Sequence, residues 1–62
     1  MKEHIMKFDL VRPARSSGGD RYECGRKGDP EWMTIYVPQH ISRPSGGQPV
    51  GTLEVTIKTE GE

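Results

Sequence analysis

Eight glycines and five prolines are spread along 62 residues. They leave no window of eleven residues that avoids both while keeping apolar side chains at the helical spacing i, i+3, i+4 and i+7. What remains between these breakers is alternation, the pattern of a strand with one buried face. Residues 5–12 set Met6, Phe8 and Leu10 on one face and Lys7 and Asp9 on the other. Arg21-Tyr22-Glu23-Cys24 alternates again, ending at Gly25 and the turn-rich Arg26-Lys27-Gly28-Asp29-Pro30. Residues 31–37 are β-branched or apolar on both sides, Trp32, Thr34 and Tyr36 opposite Met33, Ile35 and Val37, which reads as a strand covered on both faces. Residues 52–59 place Leu53, Val55 and Ile57 inward and Thr52, Glu54, Thr56 and Lys58 outward. The expected fold is all-β: one small domain over 1–62, an antiparallel meander or partly open barrel of about four strands. Pro38 to Ser42 is the one place for a short helical turn, which Pro44 would end. Residues 1–4 and 61–62 are expected to be frayed tails.

A chain this short buries only about 60% of the surface its unfolded form exposes, so it needs a further staple. Cys24 is the single cysteine and excludes an intrachain disulfide. Cys24, His4 and His40 are scattered without metal-ligand spacing, so no metal and no cofactor are expected. Oligomerisation is the staple left, and a homodimer is expected. A lone thiol, with neither a signal peptide nor an apolar run near 18 residues, points to a soluble cytoplasmic protein without a membrane partner.

Residues 34–57 carry a recognisable pattern. Thr34-Ile35-Tyr36-Val37-Pro38 closes a strand on an apolar residue and proline, Ile41 follows three positions on, and Gly51-Thr52 opens the alternating Leu53, Val55, Ile57. This resembles the swapped-hairpin pattern of AbrB and MazE-type DNA-binding proteins. The resemblance implies an intertwined homodimer whose N-terminal basic loops contact DNA. The chain departs from the family at Arg43-Pro44-Ser45-Gly46-Gly47, which breaks the helix that the family continues. The segment from Arg12 to Tyr22 has no counterpart there.

Two phrases nearly repeat: Arg12-Pro13-Ala14-Arg15-Ser16-Ser17-Gly18-Gly19 and Arg43-Pro44-Ser45-Gly46-Gly47. Each follows an extended segment with proline, arginine and a flexible Ser-Gly-Gly, the composition of a plain turn and also of a loop that offers backbone N–H groups and a cation to an anion. Net charge is zero, which argues against a non-specific nucleic-acid coat. The distribution is uneven, because Arg12, Arg15, Arg21, Arg26 and Lys27 face only Asp20 and Glu23 in their stretch. The candidate contacts to nucleic-acid phosphates are therefore Arg12, Arg15, Arg21, Arg26, Lys27 and Arg43. Tyr22, beside Arg21, is the better candidate to stack on a base; Trp32 is expected in the core or an interface, and Tyr36 is open to either role.

Catalytic patterns are absent. His40 has no Ser or Cys in a recognisable motif, Asp29 and Glu31 sit in a turn, Cys24 has no identified base, and neither loop has P-loop spacing. The expected function is a small non-enzymatic nucleic-acid-binding module, with regulation as one use. The alternative is a protein-interaction module, an adaptor or small inhibitor, that binds by strand-edge addition or apolar docking.

Overall fold

A computed structural model describes residues 2–61. They form β1 (Lys2–Arg12), β2 (Asp20–Cys24), β3 (Met33–Val37), α1 (Gln39–Ser42) and β4 (Thr52–Thr59). All pairings are antiparallel and the sheet order is β3-β2-β1-β4. The four strands curl into a half-barrel, the small all-β fold expected. Only β1 to β3 run as a meander. β4 returns by a long connection to lie beside β1, which is Greek-key order.

The alternation read from the sequence sets the two faces. Phe8, Tyr22 and Val37 form the buried centre, and Met6, Leu10, Cys24, Met33, Ile35, Val50, Leu53 and Val55 pack around it half-buried. Burying one such large side chain is worth roughly 1.5–3 kcal/mol, so the two fully buried rings of Phe8 and Tyr22 are the principal apolar contribution at the centre.

Two expectations are corrected. Lys2 to His4 are not frayed: they extend β1 against Thr59, Lys58 and Ile57, because β4 is long enough to satisfy their backbone groups. Gly61 lies outside the strands as expected, and Met1 and Glu62 lie outside the described residues. β3 is not covered on both faces. It is an edge strand, since the next strand crosses to the far side of the sheet, and Tyr36 is 67% exposed. Trp32 falls outside β3, in the turn before it, and is not part of the buried cluster.

The crossover from β3 to β4 is fastened beneath the sheet. Pro38 opens the single helical turn α1, which ends at Ser42, ahead of Pro44. Ser42 O then accepts the Val50 N–H at 2.9 Å, Gly51 O accepts the Leu10 N–H at 2.9 Å, and the Tyr22 hydroxyl donates to Val50 O at 2.6 Å. Among the described residues no helix is long and apolar enough to cross a membrane.

Candidate functional site

The site begins with an extra residue. β1 and β2 pair as Asp9↔Glu23 and Leu10↔Tyr22, but the next pair is Arg12↔Arg21, so the register slips by one residue at Val11. In an uninterrupted ladder Arg12 would share the inner face with Leu10, because side chains alternate with period two. The bulge turns it to the outer face beside Arg21, the kind of re-aiming that bulges perform. Arg21 in turn pairs with Tyr36 of β3. Arg12, Arg21 and Tyr36 therefore form one row across three adjacent strands, at spacings of about 4.8 Å between strands.

Arg15 joins this row from the β1–β2 loop. Arg12, Arg15, Arg21, Gly19 and Tyr36 line one groove of about 300 Å³. Arginines placed directly opposite one another destabilise a sheet, and among the described residues only Arg21 of this pair has a salt-bridge partner, Glu23, 3.1 Å away. Its Nε is enclosed without a partner among the described residues. The next row along the outer face is acidic, with Asp9 opposite Glu23. That row bounds the positive surface sharply on one side.

The loop that carries Arg15 is tethered rather than free. Asp20, fully buried at the start of β2, accepts four hydrogen bonds: Ala14 N–H at 2.7 Å and Arg43 Nη2 at 2.8 Å on Oδ1, Ser42 Oγ at 2.5 Å and Arg43 Nε at 3.2 Å on Oδ2. Four acceptor positions are filled by four donors, the condition under which a buried carboxylate is tolerated. Arg43 hydrogen bonds, then the Ser42 hydroxyl, hold the Asp20 carboxyl well below the usual carboxylate range against the opposing effect of burial. Arg43 also donates to Ala14 O at 3.1 Å. Further along the loop, Gln39 Nε2 donates to Ser16 O and Gly18 O, both at 2.9 Å. Gly18 takes a φ of 101°, and a Cβ on Gly19 would lie 3.1 Å from the β3 backbone at Tyr36 and Val37. The loop thus lies flat against β3 and presents its exposed side chains outward.

This geometry sorts the residues expected to bind. Arg12, Arg15 and Arg21 come together. Arg26 and Lys27 do not join them: they are exposed in the β2–β3 turn, at the other end of β2, where Arg26 N–H donates to Asp29 Oδ2 at 3.1 Å. Arg43 is corrected from a phosphate contact to a structural one, its guanidinium being spent on Asp20 and Ala14. Tyr22 is corrected as the stacking residue. Its ring is fully buried, and desolvation, then the nearby Asp20 charge, push its hydroxyl pKa up. The exposed ring at the site is Tyr36. Sequence reasoning left it undecided because β3 reads as doubly covered, and it gave no role to Gln39, whose loop contacts are long-range. No family model, no curated protein and no solved structure matches this chain.

Proposed function

We propose that this chain is a small, non-catalytic nucleic-acid-binding module whose Arg12, Arg15 and Arg21 neutralise backbone phosphates beside the Tyr36 ring. The observation that carries this reading is the Arg12–Arg21–Tyr36 row with Arg15 in the same groove. A cross-strand arginine pair is a liability to the isolated sheet and an asset only when an anion sits on it. Zero net charge fits a footprint of a few phosphates rather than a long track. The AbrB/MazE resemblance of residues 34–57 points to the same class of ligand and adds a homodimer, for which the open edges of β3 and β4 offer unpaired backbone groups. The free thiol of Cys24 fits a reducing, cytoplasmic setting.

Salt dependence tests the reading. Anisotropy of a labelled mixed-sequence oligonucleotide should report a saturable complex at low salt. With three phosphates neutralised, affinity should fall roughly 20- to 40-fold between about 50 and 200 mM salt. The double variant Arg15→Ala with Arg21→Ala should lose binding while keeping its circular dichroism. Full affinity in that variant, or no complex at low salt with either single or double strands, overturns it.

A second reading, protein interaction by strand addition, rests on β4, eight residues long and hydrogen-bonded on one side only. It requires a complex whose affinity is nearly independent of salt.

A further inference from the structure

We infer that the nucleic acid bound here is single-stranded, with one base stacked on Tyr36 above the Ser16–Gly19 loop and the neighbouring backbone phosphates held by Arg12, Arg15 and Arg21. This rests on the nucleic-acid reading above and narrows it. Tyr36 is shared by two grooves. On one side lies the arginine groove; on the other is a larger one of about 660 Å³, lined by Ser16, Ser17, Pro38, Gln39 and His40 together with the two loop glycines. Among the described residues, the lining of the larger groove includes no lysine, arginine or carboxylate. It suits an uncharged, flat group with polar edges and is poorly suited to a second phosphate. The two grooves therefore divide a nucleotide into its two chemistries, with an aromatic ring at the boundary.

The polar lining has capacity to spare. Ser16 O and Gly18 O are both acceptors, so the Gln39 amide nitrogen faces them. Its Oε1 accepts from no protein donor among the described residues and is left, with the Ser16 and Ser17 hydroxyls, for the edge of a base. Tyr36 is two-thirds exposed on the outer face of an edge strand, open to a ring stacked on it.

A duplex does not meet these demands. Its bases are paired and stacked inward, so none can lie on Tyr36 unless it is flipped out at the cost of unstacking. A duplex centred on the arginine row would also bring phosphates over Asp9 and Glu23, the acidic row immediately beside it. A single strand running across the strands and over the loop avoids both.

The experiment compares three labelled probes of equal length with the whole chain: a mixed-sequence single-stranded DNA, its duplex, and an abasic strand carrying phosphates and sugars only. The single strand should bind at least about tenfold more tightly than the other two. Tyr36→Ala should lower its affinity about 5- to 150-fold, the equivalent of one lost stacked base, and bring it to the abasic level; Tyr36→Phe should retain it. Circular dichroism of both variants confirms the fold. Equal binding of all three probes with the salt dependence intact overturns the single-strand inference and leaves the phosphate reading standing. Absence of binding to every probe overturns both.

Discussion

The Arg43 guanidinium meets the Asp20 carboxylate side-on, with Nη2 2.8 Å from Oδ1 and Nε 3.2 Å from Oδ2. This pair joins the crossover after α1 to the start of β2, and through Ala14 it reaches the loop that carries Arg15. Two segments of nearly the same composition, the Arg-Pro phrases at 12–19 and 43–47, are thus put to opposite uses. Arg12 faces solvent over the outer sheet, whereas Arg43 reaches inward to fasten the first loop from behind.

Arg43→Lys should therefore act as a severe substitution despite conserving charge. An ammonium cannot span both carboxylate oxygens and Ala14 O in one planar fork, and Asp20 would be left buried with fewer donors. The expected result is a fall in Tm of roughly 10 °C or more, with weaker oligonucleotide binding because the Arg15 loop loses its tether. A Tm within a degree or two of the parent would show that the side-on pair is not what holds these segments together.

Acid sensitivity follows from the same carboxylate. Asp20 has a folded pKa depressed below its ordinary value of 3.8. The folded state then binds fewer protons than the unfolded one across the interval between those values. Stability from this group is complete above about pH 5 and is lost progressively as pH falls below it toward the depressed folded value. Urea midpoints should be level down to about pH 5 and then decline. Ser42→Ala removes one of the donors that depress Asp20, so it should lower the midpoint at neutral pH and make the acid decline shallower. An acid decline as steep as the parent's in Ser42→Ala would assign the acid limb to other carboxylates.

Much of the fold was legible because the information was local. Met6, Phe8 and Leu10, and again Leu53, Val55 and Ile57, alternate inward as period-two side chains must, and Pro38 and Pro44 bracket the helical turn. The site was legible only in part. Arg12, Arg15 and Arg21 were marked by their spacing around a Ser-Gly-Gly loop, but the slip at Val11 that aligns Arg12 with Arg21 leaves no trace in composition. Tyr22, expected at the surface to stack, is buried, and Tyr36, open to either role, is exposed, both for a topological reason. β4 crosses to pair with β1, which leaves β3 at an edge with Tyr36 exposed, while the crossover residue Val50 packs against the core and caps Tyr22. Such a choice depends on residues about 30 positions away, as the Tyr22–Val50 hydrogen bond does, and local pattern does not encode it.

Tyr22→Phe isolates that hydrogen bond. The substitution keeps the buried ring and removes only the hydroxyl that donates to Val50 O. A loss of about 1 kcal/mol is expected in urea unfolding, the usual net worth of one intramolecular hydrogen bond. Oligonucleotide affinity should be unchanged, since Tyr22 lies on the opposite face from the arginine row. A marked loss of binding in a stably folded Tyr22→Phe would return this residue to the site.

The paired loops supply a matched test of backbone packing. Gly19 and Gly47 each close a Ser-Gly-Gly phrase, yet a Cβ on Gly19 meets Tyr36 and Val37 backbone at 3.1 Å while one on Gly47 meets nothing within 4 Å. Gly19→Ala must shift the loop or the β3 backbone by a few tenths of an ångström and should cost about 1–3 kcal/mol, with reduced binding as the groove beside Tyr36 deforms. Gly47→Ala should be neutral or stabilising by up to about 1 kcal/mol, because it restricts only the unfolded chain. Equal effects at the two positions would show that the first loop is no more closely seated than the second.

The last prediction sets stability against binding at one residue. Arg12 stands opposite Arg21 on the outer face, where Glu23 compensates Arg21 but no salt bridge among the described residues includes Arg12. Removing its charge as Arg12→Ala relieves a like-charge pair worth roughly 0.2–1 kcal/mol, so the variant should unfold at a slightly higher temperature in low salt, with the gain fading as salt is added. The same change removes one phosphate contact, and the slope of log affinity against log salt should become shallower by about 0.7–0.9. A residue that only decorated the surface would change neither quantity, and one that held the fold would lower the melting temperature. A gain in stability together with a shallower salt slope is the combination that an anion-binding row requires.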